Sequence, residues 1–177
     1  MPIYWRGLCA IRTDEALVTG METSQTNIDT QKEKEALLAA AIDFATKAHA
    51  GQTDKAGKPY ITHPQRVMAH VSTIEEKITA ILHDVLEDTD YTVGNLEKEL
   101  HLPDPIRTAL LLLTRTSDVD YMDYVKKLSA NPLAAAVKRV DLHDNMDLSR
   151  LPGVTPRDLA RQEKYKRALA LLDSADA

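Results

Sequence analysis

Thr79-Ala-Ile-Leu-His83-Asp84-Val-Leu-Glu87-Asp88-Thr-Asp90 concentrates polar chemistry inside an otherwise apolar helical pattern. At about 100° per residue, Ile78, Ile81, Leu82, Val85 and Leu86 cover one side of a helix, and His83, Asp84, Glu87 and Asp88 share the other. A solvated outer face is the ordinary reading of such a helix. Here the carboxylates crowd one another, and no Lys or Arg lies between Ile78 and Asp90 to pair with them. A bound cation would supply the compensation.

Working outward, Ala36, Leu37, Ala40, Ala41, Phe44, Ala45 and Ala48 recur at helical spacing from Gln31 to a stop near Gly51. Gly51 to Tyr60 reads as a loop punctuated by Gly57 and Pro59. His63 precedes Pro64, which predicts that His63 caps a helix running through Val71 and exposes its ring at the entrance. Beyond the central stretch, short helices are expected to Leu100, from Pro103-Asp-Pro105 to about Arg115, and from Asp120 to Leu128. Asn131-Pro132 and Thr155-Pro156 are start signals for helices reaching about Met146 and Leu172. In the first of these, Ala134, Val137 and Val140 form an apolar stripe that Asp141 continues, and a carboxylate on a core stripe needs a partner inside. With no convincing period-two strand, the pattern predicts a single compact all-α domain of about seven or eight helices.

Residues 1–30 carry the only Trp, the only Cys (Cys9) and a polar run. They are expected to form a poorly ordered tail ahead of a domain over 31–177, with Met21 a candidate natural start. Arg6 and Arg12 interrupt what would be a signal-peptide core. The 177 residues suffice for one buried core, and 22 Lys+Arg against 27 Asp+Glu leave a net charge of −5. Bulk attraction to polymeric nucleic acid or to a membrane is therefore not expected, whereas a local basic pocket for a phosphorylated small molecule is compatible. No apolar run approaches the roughly 20 residues of a membrane helix, and a single cysteine fits a reducing cytoplasm.

His63, His83, Asp84 and Asp141 together offer two imidazoles and two carboxylates from three helices, a ligand set suited to a divalent transition metal with positions open to water. Oxygen-rich ligation without thiolates leans toward Mn²⁺ over structural zinc. By composition alone, His49, His70, His101 and His143 are equally available.

Four linked motifs narrow the choice. Gly51-Gln52, Gly57-Lys-Pro-Tyr-Ile-Thr-His-Pro64, Leu82-His-Asp-Val-Leu-Glu-Asp-Thr89 and Val137-Lys-Arg-Val-Asp141 with Asn145-Met146 resemble, in order, the hydrolase domain of the RelA/SpoT proteins. Covering about Ala36 to Leu172, the resemblance is to a stand-alone small alarmone hydrolase of the HD superfamily. It implies a helical domain holding Mn²⁺ through His63, His83, Asp84 and Asp141 and removing the 3′-pyrophosphate from ppGpp or pppGpp, the nucleotides of the stringent response. It further implies water handling by Glu87 and Asp88 and a substrate-pocket role for Asn145.

Glu87 follows His83 by four residues and Asp88 follows Asp84 by four, one helical turn beyond the ligands. Lys55, Lys138, Arg115 and Arg150 are candidates to offset the pyrophosphate charge, because an all-acidic site would repel its own substrate. Tyr165 and Arg161 lie one turn apart in a stretch resembling the pocket-lining end of these hydrolases. The departure is Asp54, in Asp54-Lys55-Ala56-Gly57, where the family commonly has an arginine thought to stack on guanine. That substitution opens the adenine analogue ppApp, or another nucleotide handled by an HD-type phosphohydrolase, as an alternative substrate.

Overall fold

The computed structural model describes residues 15–151 and 153–175, with side chains described from Thr30 onward. It is helical, and among the described residues it contains no strand, only an isolated bridge between Thr53 and Pro59. The chain forms two units, residues 1–33 and 34–177, and every expected site residue belongs to the second. Among the described residues the nine α-helices are α1 (Glu15–Ala48), α2 (Thr62–Ala69), α3 (Ile74–Leu82), α4 (Val85–Asp88), α5 (Val93–Leu100), α6 (Asp104–Leu113), α7 (Tyr121–Leu128), α8 (Pro132–Met146) and α9 (Pro156–Ser174). Helix α1 starts ahead of Gln31, and residues 1–14 of the expected tail lie outside the described residues.

Local chemistry sets most of these boundaries. Thr73 and Glu76 close a capping box at the start of α3, and Thr155 and Asp158 close another on α9, with Pro156 just inside. Asn131 accepts the Ala134 amide ahead of Pro132, so α8 begins and ends where its sequence signals put it.

The segment beyond the expected seven or eight arises because the central helix is broken. His83 Nδ1 donates to the Ala80 carbonyl at 2.7 Å, taking the acceptor that the Asp84 amide would use in an uninterrupted helix. The chain restarts as the single turn of α4, where the Asp84 carbonyl accepts the Asp88 amide. His83, Asp84, Glu87 and Asp88 therefore do not lie along one continuous helix face.

Helix α3 is the centre of the second unit. Ile78, Thr79, Ala80, Ile81 and Leu82 are all buried, so no side of its last turns is a solvated face. Ala80 joins an apolar cluster with Val67, Val125, Val137, Leu142 and Leu172, while Ile78, Ile81 and Leu82 join a second with Phe44, Val85, Leu96, Ile106 and Leu110. Burying each such Ile or Leu contributes roughly 1.5–3 kcal/mol. Packing against α2, α6 and α8 holds the C-terminal end of α3 in place, and with it the backbone of His83 and Asp84.

Candidate metal centre

His63 lies within the first turn of α2, behind Ile61 and Thr62, and is not the cap. Its ring is buried at 7% exposure instead of standing open at a helix entrance, because α8 packs over α2. Its Nε2 comes within 3.1 Å of Asp141 Oδ1 and 3.5 Å of Asp84 Oδ2. His83 Nε2 lies 3.2 Å from Asp84 Oδ1 and 3.6 Å from Asp141 Oδ1. Ligand atoms of His63, His83 and Asp141 all fall within 4.8 Å of one another, and Asp84 borders the trio from the α3–α4 break. All four expected ligands converge.

The second nitrogen of each ring makes this arrangement specific. His83 Nδ1 is occupied by Ala80, and His63 Nδ1 donates to Asp144 Oδ2 at 2.7 Å, so in the neutral tautomer both Nε2 lone pairs face the same point. His83 Nε2 is buried without a hydrogen-bond partner. A buried orphan acceptor is costly unless something fills the gap, and a divalent cation matches two imidazole nitrogens and two carboxylates. The residues present fit such an ion.

The electrostatics point the same way. Burial alone would lower the His63 pKa, but hydrogen bonds to Asp141 and Asp144, with the charge of Asp84, raise it to about 10. Asp141 is buried, yet Lys138 and the two histidines hold its carboxyl well below the usual range. In Asp144 the cost of burial is likewise outweighed by His63 and Arg66, and its pKa is lowered. The pocket is built for positive charge.

The other expected residues divide into engaged and available groups. Lys138 Nζ sits 2.8 Å from Asp141 Oδ2 and Asn145 Nδ2 donates to Asp141 Oδ1 at 2.6 Å, so both hold the Asp141 carboxylate in place. Arg150 is held by the Asp144 carbonyl, Asp144 Oδ2 and Asp147, and Lys55 lies 3.6 Å from Asp158. Neither is an unpaired charge awaiting phosphate. The Arg115 guanidinium bonds the Val119 carbonyl, while its backbone amide donates to Glu87 Oε2 at 3.1 Å. The Tyr165 ring lies tilted against that of Tyr121, with centroids 6.2 Å apart.

Glu87 and Asp88 are not equivalent. Glu87 borders the same cavity of about 250 Å³ as His63, His83, Asp84 and Asp141, and burial pushes its carboxyl pKa up against the opposing Arg115 amide. Asp88 borders only a second hollow beside Gln52, which Glu87 also lines, and its Oδ2 is bound by the Tyr60 hydroxyl at 2.7 Å, the same hydroxyl lying 2.8 Å from Asp84 Oδ2. Through the Tyr60 hydroxyl, Asp88 is joined to Asp84 and reaches the site by way of that bridge.

Asp54 is equally committed. Its Oδ1 accepts the amides of Ala56 and Lys58 at 2.9 and 2.8 Å, and its own carbonyl accepts the Gly57 amide at 3.0 Å. Gly57, at φ +75°, supplies the left-handed residue that this tight turn requires.

Sequence reasoning missed Asp144, Tyr60 and Arg66. Asp144 lies one turn after Asp141, a weak but usable signal; nothing local marks Arg66, whose guanidinium grips Asp144 at 2.7 and 2.9 Å from α2.

No family model matches the chain. Human guanosine-3′,5′-bis(diphosphate) 3′-pyrophosphohydrolase MESH1 is 34% identical over 130 residues, spanning 65% of this chain and 71% of that protein. The chain belongs to this pyrophosphohydrolase family. The mouse pyrophosphohydrolase MESH1 matches at 33% over 129 residues. The pyrophosphohydrolase of Haemophilus influenzae is 44% identical over 60 residues, a match covering only 9% of its length. A solved structure of a metazoan ortholog of SpoT, described as hydrolyzing ppGpp, superposes with a TM-score of 0.63 at 23% identity, over 77% of this chain and 85% of that one. That likeness establishes the shared helical fold of this pyrophosphohydrolase family.

Proposed function

We propose that the chain is a Mn²⁺-dependent 3′-pyrophosphohydrolase acting on ppGpp and pppGpp, with residues 31–177 as the hydrolase domain. The observation that carries this reading is the convergence of two buried imidazole Nε2 atoms, each with its Nδ1 already engaged, on the carboxylates of Asp84 and Asp141. A divalent cation held by His63, His83, Asp84 and Asp141 would supply activation of water near neutral pH and polarisation of the phosphoryl group.

The side chains supply the rest. Glu87, its carboxyl raised by burial, takes a proton from water as that water attacks the phosphorus bonded to the nucleoside 3′ oxygen. The phosphorus–oxygen bond breaks, the 3′ oxygen takes up a proton, and pyrophosphate separates from a nucleoside 5′-diphosphate or 5′-triphosphate. Asn145 and Lys138 keep Asp141 oriented and ionised. A second cavity of about 240 Å³ shares Tyr60, His63 and Asn145 with the first and accommodates the nucleoside between Ala56, Leu148 and Leu151.

Hydrolysis of ppApp is a second reading, favoured by one observation: the Asp54 carboxylate is occupied by its own loop and offers no cation to stack on a base. With substrates of either kind, the protein is expected to act in the cytoplasm. Among the described residues, no helix is long and apolar enough to cross a membrane. Purified protein assayed with Mn²⁺ against ppGpp, ppApp and simple nucleotides tests both readings. Release of pyrophosphate from the 3′-diphosphates alone is expected, and release of orthophosphate from ordinary nucleotides instead would assign a different HD-type phosphohydrolase.

A further inference from the structure

The two cavities that meet at His63 differ in which of their cations remain without a carboxylate. In the nucleoside cavity Lys55 and Arg161 both face Asp158, Arg66 grips Asp144, and Arg150 is held by Asp144 and Asp147. In the cavity lined by His63, His83, Asp84 and Asp141, Lys138 is paired with Asp141 and the Arg115 guanidinium bonds the Val119 carbonyl, while Lys164 has no carboxylate within ion-pair distance among the described residues. Lys164 Nζ instead rests 4.3 Å from the centre of the Tyr121 ring and 5.4 Å from that of Tyr165. The Tyr121 hydroxyl is buried and unpartnered.

The placement of Lys164 follows from the chain. Arg161, Lys164, Tyr165 and Ala168 occur at i, i+3, i+4 and i+7 on α9, one face of the helix, and Ala168 is fully buried against the core. Lys164 therefore faces inward along the same stripe. Burial and the nearby charges of Arg115, Arg161 and Lys138 lower its pKa, so an anion beside it would relieve a real repulsion.

Resting on the reading of the substrate as a 3′-diphosphate, we propose that Lys164 holds the outer phosphate of that diphosphate, with the Tyr121 hydroxyl as a second donor. The inner phosphate, which is attacked, must lie at His63, His83, Asp84 and Asp141. The outer one then extends away from the nucleoside, into the part of the cavity where the unpaired ammonium and the unpartnered hydroxyl sit. Lys164 would contact the pyrophosphate and not the base or the metal.

Titration calorimetry of the Mn²⁺-loaded protein with inorganic pyrophosphate, and separately with GDP, tests this without turnover. Lys164→Gln should weaken pyrophosphate binding roughly tenfold or more, the scale of a lost charged hydrogen bond, while GDP and Mn²⁺ binding stay as in the wild type. Lys164→Arg should recover most of the loss. Unchanged pyrophosphate affinity in Lys164→Gln would overturn the proposal, as would an equal loss for GDP, which would mark the residue as structural. If the wild type binds pyrophosphate through Lys164 yet leaves ppGpp intact, the functional reading fails and the assignment of Lys164 stands.

Discussion

The end of α3 and the loop from Gly51 to Tyr60 both present carboxylates to a cavity, yet they do opposite things with them. At the α3–α4 break every side chain has one atom engaged with the protein and another left over: His83 bonds Ala80 through Nδ1 and leaves Nε2 orphaned, and Asp84 takes Tyr60 on one oxygen while facing His83 with the other. In the loop, one oxygen of Asp54 is consumed by two amides of its own turn. Polar atoms left unsatisfied after the intraprotein bonds are made, in a place too buried for bulk water, mark where a ligand belongs. Engaged atoms mark architecture.

The harshest test of that distinction removes an unsatisfied atom. His83→Ala deletes the orphan Nε2, and activity should fall on the order of 10³-fold or more with Mn²⁺ binding lost, since both nucleophile activation and phosphoryl polarisation depend on the ion. Calorimetric metal titration alongside circular dichroism separates this from unfolding. Tight Mn²⁺ binding by the folded variant would mean that the orphan atom is not a ligand.

Glu87 and Asp88 carry the contrast into a single turn. Glu87→Gln should lower kcat by roughly 10²-fold, the usual scale of general acid–base contributions. Asp88→Asn keeps an acceptor for the Tyr60 hydroxyl and should cost much less. Steady-state kinetics on both variants decides, and equal losses would return Asp88 to the reacting water.

Asp144 tests the engaged half of a ligand. Asp144→Asn weakens the grip on His63 Nδ1 and loosens Arg66, and loss of such an outer partner typically costs 10–100-fold in metal affinity. Mn²⁺ titration of the variant should show that loss with kcat at saturating metal nearly preserved. A kcat collapse at saturating Mn²⁺ would give Asp144 a direct chemical role.

Protonation competes for the same position. In the metal-free protein the His63 pKa is raised from the usual 6.5 to about 10, so its contribution to stability is fully present below 6.5 and is lost as pH rises through 10. Coordination requires the neutral ring, so Mn²⁺ binding should release a proton and tighten by up to about tenfold per pH unit across that window. Calorimetry in two buffers of different ionisation enthalpy counts the proton, and none released would place His63 neutral before the metal arrives.

Much of this was legible because it is local or periodic. Asn131-Pro132 and Thr155-Pro156 started their helices as expected, and Asp141, continuing the Val137 stripe into the core, did need a buried partner. The unread part depends on which backbone or side-chain partner each polar group takes, which periodicity does not report. Nothing in the apolar period between Ile78 and Leu86 announces that His83 will capture the Ala80 carbonyl and end the helix, and that one bond takes Glu87 and Asp88 off the helix that carries His83. Lys138 and Arg150 looked like phosphate ligands because a sequence shows charges without their partners. Asp141 lies one turn after Lys138 on α8, and Arg150 folds back onto Asp144 from the turn just beyond that helix.

The smallest effects should come from Asp54, where the resemblance to the RelA/SpoT hydrolases breaks. Read as an unoccupied position for a missing arginine, Asp54→Arg would restore a flat cation for the base and lower KM. The structure argues otherwise, because the residue at 54 holds the turn: without its carboxylate the Ala56 and Lys58 amides lose their acceptor, at a cost of about 0.5–1.5 kcal/mol for each hydrogen bond. Asp54→Asn retains an Oδ1 acceptor and should leave KM close to the wild-type value for both ppGpp and ppApp. Asp54→Arg should raise KM by a similar small factor for both, since a loosened loop affects either base alike, with kcat little changed because a non-reacting base contributes mostly uniform binding. A KM that falls for ppGpp alone in Asp54→Arg would show that the new guanidinium reaches the base despite the lost turn, and would make residue 54 a selectivity position after all.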